Sequence, residues 1–409
     1  MRFVVLALLL ALAYWYSVRV GMRVRSASVG TVLVGGVALR LVVSLLSTHG
    51  DLIGNTADPT TYEVGSGYLS AGWHVASSVQ PPATIGKNFA MVLINALVAG
   101  IPGSPSLHTS TALVAVTASS IGIALVVGAT YRGLADIERR LRQKVVFRTA
   151  VLCSILPSVL YATSQNFKEA YQVLGIGLVL DGMSRFLGPG RRVTPVRVVS
   201  GAAIVAAARP VLIVLVPMFL VVPYAARLLL GRLRSVAAAV GVVALLLVAL
   251  PLAGGSTLRT QFENTASLGG GSQLSLPAGR FGSSALTLIR AVWATEPWLL
   301  VRSALGIVNW LESLAIGTML AWAYVRVGRS AIRGRVRPFM FALATLAIVP
   351  AWLVAASTGN GGALVRYRAP FLVVALPLVA AASVARTGTL ERRRRQPTIS
   401  APARSIRTT

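Results

Sequence analysis

The chain has 409 residues, of which 55% are hydrophobic and 12% charged, and its mean hydropathy is +0.73. Soluble domains carry about 25% charged residues, so this composition excludes a water-soluble fold. The formal net charge is +28, but the arginines stand in short clusters between apolar runs, where they act as topology signals and contact lipid headgroups. Nucleic-acid binding is therefore not expected. The single cysteine, Cys153, excludes an intramolecular disulfide and a cysteine-based metal site.

Apolar runs follow one another along the chain, most of them near the roughly 20 residues that cross a bilayer core as a helix. They are residues 1–17, 28–48, 107–131, 145–163, 170–187, 198–208, 211–229, 235–252, 303–325, 338–357 and 370–384. Arg209-Pro210 removes a backbone donor and ends a helix, so the runs on either side are predicted to meet in a hairpin. The sequence predicts an all-α, polytopic transmembrane helical bundle of about 10–11 membrane helices over residues 1–386.

The cations predict the orientation, because short loops rich in Lys and Arg stay in the cytoplasm. If the apolar runs alternate across the membrane, one side receives the basic clusters at 19–25, 132–144, 191–197, 227–234 and 329–337. The tail, 387–409, joins them and is expected to be disordered, being basic and rich in Pro, Ser and Thr. The first run is expected to be a retained membrane helix with its N-terminus outside. The arginine bias suggests a bacterial plasma membrane.

This topology leaves two long external segments, 50–106 and 253–302. Six of the eleven acidic residues fall in external segments: Asp51, Asp58, Glu63, Glu169, Glu263 and Glu296. The outer face is therefore the expected place for carboxylate chemistry. In the first segment, the stretches 62–75 and 89–101 are too short or too polar to span and are predicted to be interfacial helices.

The first candidate constellation runs from Asp58 to Tyr62 and reads Asp-Pro-Thr-Thr-Tyr, with Asp51 seven residues earlier. A carboxylate at the bilayer surface beside apolar walls suits a general base that takes a proton from a sugar hydroxyl. An Asp before Pro is also a common way to start a turn.

The second constellation is the polar break from Ser164 to Glu169. Lys168 is a cation in a predicted external loop, where cations are otherwise rare, and a bound phosphate would neutralise its charge. Glu169 could compensate it too, or could simply favour the start of the next helix through the helix dipole.

The third constellation spans residues 360–370 and contains Arg366 and Arg368 beside Tyr367. Two arginines in this setting suit bidentate capture of a phosphate, and the alternative is an anchor that contacts lipid phosphates. Arg209 lies at the end of an apolar segment and Glu312 lies within one. A charge in such a place is a functional-site hypothesis by default, and the alternative is that the two residues pair with each other.

Other polar residues are assigned no chemistry. His49, His74 and His108 have no metal-ligand spacing and are interpreted as structural. Asp181 and Arg185 are four residues apart, the spacing of a local ion pair on one helix. No metal site and no cofactor are predicted.

The order and sidedness of these motifs resemble the GT-C class of membrane glycosyltransferases, which includes dolichyl-phosphate-mannose protein mannosyltransferases and bacterial aminoarabinose transferases. The resemblance rests on Asp-x-x-x-Tyr in the first external loop, on Leu156-Pro157-Ser158 through Glu169, on Arg209-Pro210, and on residues 366–370 before the last helix. The better-known members carry two adjacent acids in the first loop, whereas Pro59 follows Asp58 here.

The resemblance implies transfer of a sugar, with inversion, from a polyprenyl-phosphate donor to a glycan, lipid or protein acceptor on the extracytoplasmic face. It implies Asp58 as the base, Asp51 or Glu169 as a supporting carboxylate, and Lys168, Arg366 and Arg368 as phosphate partners. Tyr62 and Arg209 are further candidate substrate-binding residues. The alternatives are an O-antigen-type polymerase or ligase, a transporter or flippase, and a non-catalytic membrane subunit.

Overall fold

The structure is a computed structural model. It describes residues 1–49, 62–66, 82–103, 106–187, 195–209, 212, 218–219, 222, 304–329, 336–356 and 361–384. Several predictions therefore fall outside the described residues, namely Asp51, Asp58, the segment 253–302, the run 235–252, most of the run 211–229, and the tail 387–409.

The described part of the chain is helical, with eleven helices and one further helical turn at 62–66. The helices are α1 Arg2–Val24, α2 Ala27–His49, α3 Pro82–Ala99, α4 Leu107–Gly133, α5 Arg139–Ile155, α6 Pro157–Ser164, α7 Lys168–Leu187, α8 Pro195–Ala208, α9 Ala304–Arg329, α10 Val336–Ala356 and α11 Gly361–Val384. The all-α prediction is confirmed. The predicted break at Arg209-Pro210 is confirmed as well, because α8 ends at Ala208.

Four of the described helices are long and apolar enough to cross a membrane, and a fifth span results if one bent pair counts as a single crossing. The four are residues 2–24, 27–47, 107–133 and 366–384. These helices are consistent with a membrane protein. The stretch 89–101, predicted to be an interfacial helix, falls largely in α3, an apolar helix of 18 residues that already begins at Pro82.

The bent pair corrects one prediction. The run 145–163 is two helices, α5 and α6, that meet at 62°. Pro157 at the start of α6 disfavours a helical conformation at Leu156, whose ψ is 122°. Pro157 also has no N–H for the carbonyl of Cys153, four residues earlier.

Two buried charges satisfy the backbone at this bend. Arg40 of α2 donates from Nη2 to the Cys153 carbonyl (2.6 Å) and from Nε to Oγ1 of Thr163 (2.9 Å). Glu312 of α9 accepts hydrogen bonds from the Ser158 N–H, at 3.0 and 2.9 Å, and from its hydroxyl at 2.9 Å. A cation thus lies at the C-terminus of α5 and an anion at the N-terminus of α6, as the helix dipoles favour.

Glycines allow α4, α7 and α8 to pack backbone against backbone. A Cβ added at Gly122 of α4 would lie 2.5 Å from the carbonyl oxygen of Val173 on α7. One added at Gly175 would lie 2.6 Å from the carbonyl oxygen of Gly201 on α8. Small residues at such contacts are typical of helices that associate in a membrane.

Helices α1, α4 and α7 run in the same direction. The Arg2 N–H donates to the carbonyl of Pro102 just before α4 begins (2.9 Å), and Arg132 near the end of α4 pairs with Asp181 near the end of α7. We call the end where these three helices begin the Glu169 end and the end where they finish the Asp181 end.

Candidate functional site

Glu169 is the centre of a buried charge cluster at the Glu169 end. It lies in the first turn of α7 and is 1% exposed. Its Oε1 is 3.5 Å from Nη2 of Arg209, which follows α8, and 3.7 Å from Nε of Arg366 on α11. Three separate parts of the chain therefore bring two cations and one anion together.

Aromatic rings hold both guanidinium groups. The Cζ of Arg209 is 3.5 Å from the ring centroid of Tyr367, and the Cζ of Arg366 is 4.5 Å from that of Phe167. Arg366 also donates from Nη2 to the Tyr367 hydroxyl at 3.2 Å. Cation–π contacts of this kind orient a guanidinium without neutralising its charge, so both groups keep their capacity to attract an anion.

Lys168 adds a third cation next to this cluster. Its Nζ is 2.5 Å from Oδ1 of Asn88 on α3 and 5.9 Å from the ring centroid of Tyr62, which is 2% exposed. The neutral oxygen of Asn88 accepts a hydrogen bond from the ammonium. The predicted residues Tyr62 and Lys168 are therefore neighbours.

Several buried polar atoms near Glu169 make no hydrogen bond within the described part of the chain. They are both carboxylate oxygens of Glu169, both amide atoms of Gln172, the hydroxyl of Tyr171, and Oδ1 of Asn166. Gln172 lies one turn after Glu169 on the same face of α7 and is 0% exposed. Buried polar atoms are rarely left in this state, and such groups can bind the hydroxyls of a ligand.

A carboxylate–histidine pair lies at the same end and was missed in the sequence. Nδ1 of His108, at the start of α4, is 2.6 Å from Oε1 of Glu63 in the helical turn 62–66. Both side chains are partly exposed, at 29% and 24%. The sequence interpretation of His108 was structural, because 45 residues separate the two and no local spacing marks the pair.

The two arginines of the third constellation diverge. Arg368 is 1% exposed and donates from Nη2 to Oγ of Ser313 on α9 at 2.5 Å, whereas Arg366 turns towards Glu169. Arg209 lies against Glu169, and Glu312 accepts from Ser158, so the alternative in which Arg209 and Glu312 pair with each other is wrong.

One further prediction has a clear outcome. The local ion pair is confirmed, since Nε of Arg185 is 3.2 Å from Oδ2 of Asp181. Within the described residues, no three His, Cys, Asp or Glu side chains come close enough together to hold a metal ion. Asp58 and Asp51, the predicted base and its supporting carboxylate, lie outside those residues.

No family model, no curated protein and no solved structure matches this chain.

Proposed function

We propose that the protein is a membrane glycosyltransferase that moves a sugar from a polyprenyl-phosphate donor to an acceptor at the Glu169 end. The observation that carries the proposal is the buried cluster of Glu169, Arg209 and Arg366, with Lys168 beside it. Cations that converge beside buried polar atoms with no hydrogen bond in the described chain suit a ligand that carries both a phosphate and hydroxyls.

The phosphate of the donor binds to Arg366 and Arg209. Planar guanidinium groups bind phosphate through paired N–H donors, and these two are already held in place by the rings of Phe167 and Tyr367. As the sugar leaves, negative charge grows on the lipid phosphate. Fixed cations at that position stabilise the transition state more than the ground state.

The sugar binds to the polar atoms that have no partner within the described chain, those of Gln172, Tyr171 and Asn166. A site built to hydrogen-bond hydroxyls discriminates strongly against ligands that lack them. The class of donor is therefore set by the cations, and the choice of sugar by the amide and phenol groups.

In the reaction, an acceptor hydroxyl attacks the anomeric carbon while the bond from that carbon to the phosphate oxygen breaks, with inversion. The hydroxyl proton passes to an external carboxylate, for which Asp58 is the candidate and Asp51 the alternative. Glu169 is already enclosed by Arg209 and Arg366, at 3.5 and 3.7 Å, so its role in this scheme is to position the two arginines. This scheme requires no metal and no cofactor.

The proposal includes a multi-pass arrangement of about 10–11 membrane helices in a cell membrane, with the Glu169 end extracytoplasmic. The donor enters laterally from the lipid. In this arrangement the cations of the external loops, Lys168, Arg366 and Arg368, lie at one water–lipid boundary. The arginine clusters of the cytoplasmic loops lie at the other.

The test is turnover of a polyprenyl-phosphate hexose by the purified protein in lipid nanodiscs, with a cell-envelope extract as the source of acceptor. Mass spectrometry measures the polyprenyl phosphate released. We expect Arg366→Ala to lower turnover by about 10²–10³-fold, the cost of removing one donor to a developing oxyanion. Asp58→Asn should lower it by about 10²–10⁴-fold, since a general base is lost.

Arg148→Ala is the matched control, because Arg148 contacts Ser383 at the far end of α11 from Arg366. It should leave turnover unchanged. Equal turnover in Arg366→Ala, Asp58→Asn and the parent protein would contradict the proposal. Release of polyprenyl diphosphate from a diphosphate-linked glycan, with no activity on the monophosphate, would favour the polymerase or ligase instead.

A further inference from the structure

A second polar site lies at the Asp181 end, between α1, α4 and α7. It is a cavity of about 310 Å³ whose polar wall consists of Tyr16, Arg23, Tyr131, Arg132, Asp181 and Arg185. Small-molecule sites span roughly 300–1,000 Å³, so the cavity has room for a headgroup-sized ligand. It has no part in the glycosyl transfer proposed above, because the Glu169 cluster lies at the opposite end of α7.

Asp181 cannot neutralise the cations around it. Its side chain is 2% exposed and pairs with Arg132, with Arg197 of α8, and with Arg185 at 3.2 Å. One carboxylate is thus shared by three guanidinium groups. Arg23, whose side chain is exposed, is a fourth guanidinium at the cavity, and within the described residues it makes no hydrogen bond and no ion pair.

The arginines keep donors available for a ligand. Arg132 directs Nε to the hydroxyl of Ser184 at 3.1 Å and Nη2 to Asp181. Arg185 uses only Nε for Asp181, and its two terminal nitrogens make no hydrogen bond within the described chain. Arg23 lies across the cavity on α1, so an anion between α1 and α7 would meet guanidinium groups from both sides.

The surface beside the cavity is apolar. On α1, Leu12 is 44% exposed and Trp15 is 48% exposed, about three and two turns before Arg23 along the helix. A ligand with a phosphate in the cavity could therefore place an acyl chain along this face. Helix α1 is only 22% buried over its apolar window, the lowest value of the four candidate membrane spans.

We propose that this cavity binds a phosphate group, that of an anionic phospholipid headgroup, with Arg23 and Arg185 as its ligands. Guanidinium groups bind phosphate through charge-assisted hydrogen bonds. The bound anion offsets the repulsion among the clustered arginines and joins α1 to α7, so it stabilises the packed state by mass action.

The experiment titrates the full-length protein in a neutral detergent with dioleoyl phosphatidylglycerol, and in parallel with dioleoyl phosphatidylcholine and with inorganic phosphate. The readout is the thermal unfolding midpoint as a function of ligand. We expect phosphatidylglycerol to raise the midpoint in a saturable manner and phosphatidylcholine to leave it unchanged. Arg23→Gln and Arg185→Gln should each weaken the phosphatidylglycerol affinity by about tenfold or more.

The matched control is Arg19→Gln, one turn earlier on α1, where the guanidinium lies 4.8 Å from the ring centroid of Trp15 instead of in the cavity. It should bind phosphatidylglycerol as the parent does. Arg23→Gln loses no contact within the described chain, so its result stands even if Arg185→Gln fails to fold. Saturable binding of inorganic phosphate with the same dependence on Arg23 would identify a free-phosphate site. Equal phosphatidylglycerol binding by Arg23→Gln, Arg19→Gln and the parent would overturn the proposal.

Discussion

The three charges at Glu169 depend on one another. Two guanidinium groups lie 3.5 and 3.7 Å from a carboxylate that is 1% exposed. Removing one member of a buried ion cluster is costly, because the charges that remain are left in a poorly solvated place. Neither arginine makes a hydrogen bond to the carboxylate, so the attraction between opposite charges is what holds them beside it.

We therefore predict that Glu169→Gln lowers the free energy of unfolding by about 3–5 kcal/mol, although the side chain keeps its shape. The control is Glu138→Gln. Glu138 is exposed and its side chain makes no capping hydrogen bond to α5, so that change should alter stability by less than about 0.5 kcal/mol. Thermal unfolding of the two variants in one detergent compares them directly, and equal midpoints would show that Glu169 is not required for stability.

At this scale the sequence predicts part of the site. Four residues of the site stand out in the sequence, because each is a charge beside an apolar run or in a predicted external loop, where arginine is otherwise rare. They are Lys168, Glu169, Arg209 and Arg366. Their convergence could not be read from the sequence, since α7, α8 and α11 meet only through packing. Gln172 carries no charge that would draw notice within a helix, although it is fully buried.

At the scale of elements, the bend between α5 and α6 is held by charges from two other helices. Pro157 takes away the hydrogen bond that the Cys153 carbonyl would accept, and Arg40 supplies another. Glu312 is a charge within an apolar segment, which marks it as a functional candidate, whereas the sequence analysis did not single out Arg40. Their contacts give them a structural role, since they satisfy the backbone on the two sides of the bend.

We predict that Arg40→Met destabilises the protein less when Pro157→Ala is also present, because the restored N–H can bond to the Cys153 carbonyl. A double-mutant cycle in thermal or denaturant unfolding measures this coupling. We expect about 0.5–3 kcal/mol, the usual range for residues that share a partner. Strict additivity would mean that Arg40 acts elsewhere than at the bend.

The packing of α4 on α7 depends on the absence of a side chain at Gly122. We predict that Gly122→Ala lowers the free energy of unfolding by about 1–3 kcal/mol, because the new Cβ would overlap the backbone of Val173. The matched control is Gly35→Ala on α2, where an added Cβ meets nothing within 4 Å. The control should be neutral or stabilising, since Ala favours a helix by about 1 kcal/mol over Gly. A loss of stability in both variants would point to a general effect of the substitution.

The approximate positions of the helices could be predicted from the sequence, because a run of apolar residues bounded by arginines has few other interpretations. The first and last residues of the helices could be predicted less well. The run read as 145–163 begins six residues earlier, in a basic stretch that the hydropathy pattern ignores, and its bend depends on Pro157 and the local φ/ψ limits around it. Bounds such as these are set by caps and neighbouring helices.

At the scale of the whole molecule, the two polar clusters lie at opposite ends of the same helices. Helix α7 begins with Glu169 beside Arg209 and ends with Asp181 beside Arg132, and α4 runs parallel to it. The excess of cations at the Asp181 end agrees with the positive-inside rule, and those at the Glu169 end oppose it. The proposed site and the proposed headgroup cavity therefore require the two ends to face different compartments.

We predict that cysteines introduced at the two ends react from opposite sides of the membrane. Val64 is 46% exposed in the turn that pairs with His108 at the Glu169 end, and Glu138 is exposed after α4 at the Asp181 end. In intact cells, a membrane-impermeant maleimide should label Val64→Cys, and should label Glu138→Cys only after permeabilisation. The native thiol is 0% exposed at Cys153, so the unmodified chain is a low-background control. Labelling of both variants from one side would place the Glu169 cluster and the arginine cavity in the same compartment. That result would contradict the proposed arrangement of the helices across the membrane.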